Sequence, residues 1–234
     1  DQADPAMNRV WTDWFRRQGW AVLETNARDG KGVGQFSTVI RQALKEKLEQ
    51  WKAKGLVGRP VRAMVVGVPN VGKSTFINQV AKRKSAKAGN RPGVTRGKQW
   101  VSVDAGLELL DTPGILWPKF EDETTGIHLA FTGAVKDEIM DLETLACHLI
   151  ELLARRYPQA LAERYKLEAD PGLPGWELLE LCGKKRGFRI SGGEVDTERM
   201  AKVLLDEYRS GKLGNLTFET PQDLESREAA HGRD

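Results

Sequence analysis

Residues 63–75, Ala63-Met-Val-Val-Gly-Val-Pro-Asn-Val-Gly-Lys-Ser-Thr75, constrain the fold of this chain more than any other stretch. An apolar run ends at Gly67, and four residues separate it from Gly72, Lys73 and Ser74. The spacing predicts a strand, a phosphate-binding loop and a helix, with Phe76-Ile-Asn-Gln-Val-Ala-Lys82 as the helix. Glycines permit backbone conformations in which successive N–H groups face one way and form an anion nest. Those groups and the helix N-terminus suit the α- and β-phosphates of a nucleotide. Lys73 is placed for the β- and γ-oxygens, and the Ser74 hydroxyl for Mg²⁺. Asn70, Val71, Gly72, Lys73, Ser74 and Thr75 are therefore candidate nucleotide-binding residues, with Lys73 also catalytic.

A phosphate loop alone does not separate ATPases, kinases and GTPases. Asp111-Thr-Pro-Gly114 follows the apolar segment Leu107-Glu-Leu-Leu110, itself the second arm of a hairpin begun by Trp100-Val-Ser-Val103. An Asp at such a strand end orients Mg²⁺, and the Gly114 N–H is suited to bind the γ-phosphate and sense its loss. Thr95, between the loop helix and this hairpin, is a candidate second hydroxyl ligand of Mg²⁺ and a closing switch. Lys73, Thr95 and Gly114 are the candidate catalytic set; Ser74, Thr95 and Asp111 are the candidate Mg²⁺ ligands. Many switch GTPases place a Gln after this glycine to orient the attacking water. Here Ile115 and Leu116 follow, and neither holds water, so hydrolysis by the chain alone is expected to be slow. Asn70 offers two readings. It is a turn-favouring residue, or it helps seat a K⁺ ion against the phosphates in place of an arginine's charge.

At 234 residues the chain suits one large domain or two modest ones. Its formal charge of +3 is small, so a surface for a polyanion must come from local clustering. Two cysteines make no disulfide framework and point to a reducing, cytoplasmic compartment. His128, His148 and His231 lack metal-ligand spacing, and no run approaches the ~20 apolar residues of a membrane span. Asp4-Pro5 starts a helix to about Arg17, Trp20–Thr25 resembles a buried strand, and Asn26–Gly34 is a glycine-rich loop. Phe36, Ile40, Leu44, Leu48 and Trp51 recur at helical spacing, predicting one helix to about Lys54. After Gly114 the chain turns helical, with Asp141 and Asp196 or Thr197 as helix caps.

Base-reading elements of a GTPase normally follow the Asp-x-x-Gly strand, yet no Asn-Lys-x-Asp occurs after Gly114. Instead, Leu23-Glu-Thr-Asn-Ala27 resembles the loop whose backbone N–H groups meet guanine O6, and it precedes the phosphate loop. Asp1 then reads as the last residue of an Asn-Lys-x-Asp element, its carboxylate accepting from guanine N1–H and the 2-amino group. Asp1, Asn26 and Ala27 join the candidate GTP-binding residues.

In this rotated order the sequence resembles the circularly permuted GTPases, and among them the ribosome biogenesis GTPase A family. The resemblance rests on Gly67–Thr75, Arg91-Pro-Gly-Val-Thr95 and Leu109-Leu-Asp-Thr-Pro-Gly-Ile-Leu-Trp-Pro-Lys-Phe-Glu-Asp-Glu123. It continues through Thr132–Lys136, Lys185-Arg-Gly187, Ser191-Gly-Gly193 and Leu213–Glu219. It implies a three-layer α/β/α P-loop domain, circularly permuted, over residues 1–120. An all-α domain contacting RNA over 121–220 and a polar, disordered tail over 221–234 complete the expected chain. It also implies assembly of the large (50S) ribosomal subunit, with GTP turnover stimulated by the particle. The family's catalytic histidine and two strands of its sheet belong to a segment before Asp1.

Residues 183–212 carry eight basic and five acidic side chains. Lys184, Lys185, Arg186 and Arg189 are the candidate contacts to rRNA, and the basic stretch Lys82–Lys98 adds to them. The reading is a monomeric, GTP-hydrolysing factor that uses Mg²⁺ and K⁺, binds pre-ribosomal particles, does not bind DNA and has no membrane span. A non-enzymatic, GTP-gated RNA-binding switch and a P-loop ATPase are the alternatives.

Overall fold

The computed structural model describes residues 2–82, 99–104, 106–116, 122–135 and 141–231. Asp1, Thr95 with the rest of the 83–98 stretch, and Trp117–Phe120 lie outside the described residues. The chain forms two compact units, residues 8–116 and residues 1–7 with 117–234. The boundaries differ from the expected 1–120 and 121–220, since the first seven residues join the helical unit.

The unit of residues 8–116 holds most of helix α1 (Pro5–Arg17), α2 (Phe36–Ala43), α3 (Lys45–Ala53) and α4 (Lys73–Lys82). Its strands are β1 (Val61–Val65), β2 (Gln99–Asp104) and β3 (Leu107–Asp111), in the order β1-β3-β2. β1 runs parallel to β3, with Val65 opposite Asp111, and β2 returns antiparallel as the expected hairpin. Alternation decides which way the sheet faces. Val61, Leu107, Leu109 and Val103 turn inward against Ile77 and Val80 of α4, with Ile40, Leu48 and Trp51 packed on the same cluster. Met64, one position out of phase, stays 60% exposed. The described sheet is therefore covered by helices on one face, not on both as the three-layer expectation requires.

Two expected elements also differ. The stretch Trp20–Thr25 forms no strand, because no described strand lies alongside to take its backbone groups, and Trp20 is 67% exposed. The single long helix expected over 36–54 breaks at Leu44, whose ψ of 12° leaves the helical region between α2 and α3.

The described residues of the second unit form α5 (Glu123–Phe131), α6 (Leu142–Arg156), α7 (Pro158–Tyr165), α8 (Gly175–Arg186), α9 (Thr197–Arg209) and α10 (Pro221–His231). Asp141 and Asp196 cap α6 and α9 as expected, accepting from Glu143 N and Arg199 N. The core is the apolar stripe of α6, Leu145, Leu149 and Leu153, against Leu178 and Leu179 of α8 and Met200 and Leu204 of α9. Residues 2–4 lie along 215–217: Leu216 N donates to Gln2 O (2.8 Å), and Asp4 N to Thr217 Oγ1 (3.0 Å). The tail expected to be disordered is helical from Pro221 to His231. Asp223 accepts from the Thr220 N–H and hydroxyl at its start, and Arg227 bonds Asp122 (3.0 Å) and Glu219 (2.9 Å). The Asp122 partner lies about a hundred residues from Arg227 in the chain, so local composition does not reveal that pair. Among the described residues no helix is long and apolar enough to cross a membrane.

Three helix ends meet at one buried carboxylate. Glu207 of α9 accepts from Arg164 Nε (2.9 Å), Arg186 Nη2 (3.0 Å) and the Tyr165 hydroxyl (2.7 Å). The hydrogen bond from Arg164, outweighing the opposing effect of burial, holds the Glu207 carboxyl below its ordinary value. A depressed carboxyl stabilises the fold above the ordinary carboxylate pKa, and the contribution fades as pH falls through the folded value. Glu207→Gln is expected to cost about 3 kcal/mol at pH 7, the low end for a broken buried pair, because both guanidiniums keep some access to water. Urea unfolding at pH 7 and pH 4 checks this. The deficit should shrink at the lower pH, and equal stabilities at pH 7 would refute the role.

Candidate nucleotide site

The parallel pairing of β1 and β3 brings the ends of two strands level, and both candidate phosphate elements leave from there. After β1 the chain turns through Asn70, in the left-handed region at φ 61°, and Gly72 at φ 91°. α4 begins at Lys73, its first turn closed by Phe76 N to Gly72 O (2.8 Å). The turn role expected of Asn70 is thus filled by its backbone. Lys73 folds back over the loop, its Nζ donating to Gly67 O (3.1 Å) and Val68 O (2.8 Å).

Ser74 Oγ donates to Asp111 Oδ2 at 2.9 Å, joining the helix start to the end of β3. Asp111 and Thr112 are both buried. A hydroxyl and a carboxylate side by side are hard oxygen donors, the set that Mg²⁺ prefers. The fit is good, and these two residues are the ones that would hold the ion. Bound there, Mg²⁺ would neutralise phosphate charge. Thr95, the third expected ligand, lies outside the described residues.

Gly114 lies directly on the phosphate loop. A Cβ at Gly114 would stand 2.5 Å from Pro69 Cα, 2.6 Å from Pro69 N and 3.0 Å from Lys73 Nζ. Only glycine allows that approach. Ile115 N reaches Gly67 O at 3.4 Å, and the Ile115 side chain is 73% exposed with no polar group to offer a water. Sequence reasoning gave Thr112 no role. Its hydroxyl donates to Val65 O at 2.6 Å, tying the Asp-x-x-Gly turn to the strand before the phosphate loop. The signal was its hydroxyl at the second position of Asp-Thr-Pro-Gly.

The loop expected to read the base is built on Asn26. Its Oδ1 accepts from Arg28 N (2.9 Å), its Nδ2 donates to Asp29 Oδ2 (3.1 Å), and its own N–H donates to Lys31 O (2.9 Å). The Asn26 N–H is therefore committed within the loop. A Cβ at Gly32 would fall 2.1 Å from Glu24 O, so this turn too requires glycine. The loop packs against α4 through Gln79, whose Nε2 reaches Arg28 O at 3.5 Å. Asp1 lies outside the described residues.

In the second unit the basic residues divide. Lys184 pairs with Glu180 at 2.7 Å, and Arg186 turns inward to Glu207 and the Tyr165 ring. Lys185 and Arg189 are exposed. The sequence could not distinguish the four, because the carboxylate that recruits Arg186 is a helix away.

A family model described as a 50S ribosome-binding GTPase matches residues 62–169. Ribosome biogenesis GTPase A of Bacillus licheniformis is 46% identical, the match covering 96% of this chain and 79% of that protein. The Bacillus cereus protein of the same name is 44% identical, with 96% and 75% covered. Among solved structures, GDP-bound YlqF is 29% identical with a TM-score of 0.65, covering 95% of this chain and 81% of the other. GNP-bound YlqF from T. maritima is 28% identical with a TM-score of 0.60, covering 95% and 79%. Identity at that level along nearly the whole chain settles descent: the chain belongs to the ribosome biogenesis GTPase A family.

Proposed function

We propose that the chain is a GTP-hydrolysing assembly factor for the large (50S) ribosomal subunit, in which the state of the nucleotide sets the grip on rRNA. The observation that carries this reading is Gly114 seated on Pro69 beside the Lys73 ammonium. A γ-phosphate entering the loop would meet Lys73 and the Gly114 N–H together, and its departure would release the turn that Gly114 begins. The base loop precedes the phosphate loop in the chain yet packs on the same helix, which fits a circularly permuted GTPase domain followed by an all-α one. The protein would act as a monomer in the cytoplasm.

Residue roles follow from chemistry. The backbone from Asn70 to Thr75 binds phosphate oxygens, Lys73 neutralises the β/γ charge, and Ser74 and Asp111 hold Mg²⁺, with Thr95 as its second hydroxyl. Ala27 N–H and the Asp1 carboxylate read guanine. Ile115 orients no water, so the water-positioning group comes from elsewhere in the protein or from the particle, and turnover alone is slow. Asn70, with its backbone fixed in the left-handed turn, would direct its carboxamide to a K⁺ ion beside the phosphates. The non-enzymatic switch remains the alternative that Ile115 favours, and turnover in the presence of particles separates the two.

If Asn70 seats K⁺, GTP turnover should be faster in K⁺ than in Na⁺ at matched ionic strength, and Asn70→Ala should erase the difference. Equal rates in the two salts would return Asn70 to the turn alone. For the particle, a non-hydrolysable GTP analogue should tighten co-sedimentation with large subunits relative to GDP, and the particle should tighten the analogue by the same factor. Lys185→Glu with Arg189→Glu should weaken that binding and flatten its salt dependence by about one unit of log–log slope per lost phosphate contact. These two are preferred to Arg186, whose reversal would face Glu207. Equal co-sedimentation in both nucleotides rejects the coupling, and an unaffected double variant removes Lys185 and Arg189 from the RNA surface.

A further inference from the structure

The helical unit contains a groove that the nucleotide reading does not use. It lies between α6, α8 and residues 194–197, and encloses about 720 Å³. Its floor is apolar, made by Cys147, Leu179 and Val195. One wall is Trp176, 61% exposed at the start of α8. The start of α8 packs closely on this floor, since a Cβ at Gly175 would fall 2.5 Å from Cys147 O. Glu143, Glu151, Glu180 and Glu194 line the groove, and neither Lys nor Arg does so among the described residues.

Two of the carboxylates are fixed before any ligand arrives. Glu151 Oε1 accepts from Gly175 N at 2.7 Å, and Glu143 Oε1 accepts from Thr197 Oγ1 at 2.5 Å. Each is thereby oriented through one oxygen. Burial pushes the Cys147 thiol up, and Glu151, Glu143 and Asp141 add to the effect, in keeping with a negative field over the floor. Glu151 pairs with Arg155 at 3.7 Å and Glu180 with Lys184 at 2.7 Å, neither cation lining the groove, whereas His148 does. Both are i,i+4 surface pairs, weak enough to exchange for an incoming charge.

We propose that this groove docks an extended, arginine-rich protein segment. An exposed indole face flanked by carboxylates suits a guanidinium, which stacks on the ring while its fork meets the acids. The apolar floor takes the aliphatic stem or a neighbouring side chain, and a volume of this size admits two or three residues. Nucleic acid is disfavoured by the same carboxylates. The unit would then meet a particle with two chemistries, Lys185 and Arg189 toward phosphate and the groove toward a basic protein tail. The proposal does not depend on the GTP reading.

A fluorescein-labelled 12-residue peptide of alternating Arg and Ala, titrated with the protein and followed by anisotropy, tests it. Trp176→Ala should weaken binding about tenfold, as expected where one aromatic carries much of a contact. Glu180→Gln with Glu194→Gln should weaken it similarly and flatten its salt dependence. These side chains lie at the surface, and unfolding curves superimposable on wild type establish that each variant is folded. A peptide with Gln in place of Arg should not bind. Absent binding, equal binding by wild type and the variants, or spermine displacing the peptide at equal charge concentration would each overturn the proposal. So would a labelled single-stranded RNA whose binding is lost in Trp176→Ala.

Discussion

The hydrogen bond from Ser74 to Asp111 joins the two parts of the chain on which the proposed chemistry depends. It is possible only because β1 and β3 run parallel, with Val65 and Asp111 paired at their ends. A shift of one residue would turn Asp111 to the other face of the sheet. Burial of Leu107 and Leu109 prevents that shift, since both would then leave the core. The packing of three short strands therefore sets the position of the Ser74–Asp111 pair, and Thr112 reinforces it through Val65 O.

Once that register is fixed, Gly114 has little freedom. Three residues beyond Asp111 it rests on Pro69, and any side chain there would overlap the loop backbone. The Asp111–Gly114 turn is thus in close contact with the Gly67–Ser74 loop. The Asn26 loop is closed by its own hydrogen bonds, and Gln79 and Val33 pack it against α4.

The parts that could be read from the sequence are those specified locally. The phosphate loop, the hairpin ending at Asp111, and the Asp141 and Asp196 caps all depend on residues within one or two turns of each other. What could not be read depends on distant partners. Trp20–Thr25 has strand composition but no described neighbour to pair with, and Leu44 interrupts a stripe that otherwise reads as one helix. The polar segment after Thr220 becomes a helix through Arg227, whose partners Asp122 and Glu219 are set by tertiary packing. Arg186 resembled a surface cation until Glu207 was seen beside it. Charge counting along the chain cannot separate such a buried pair from a binding patch.

The central claim is that Gly114 couples the γ-phosphate to the rest of the protein, and Gly114→Ala tests it most directly. A methyl group at that position collides with Pro69 and Lys73, and should displace the turn from the site that the γ-phosphate occupies. Titration of wild type and variant with GDP and with a non-hydrolysable GTP analogue gives the answer. The account predicts that GDP affinity changes by no more than about threefold while analogue affinity falls at least about tenfold, the range of a typical coupling energy. An unchanged ratio of analogue to GDP affinity would contradict it.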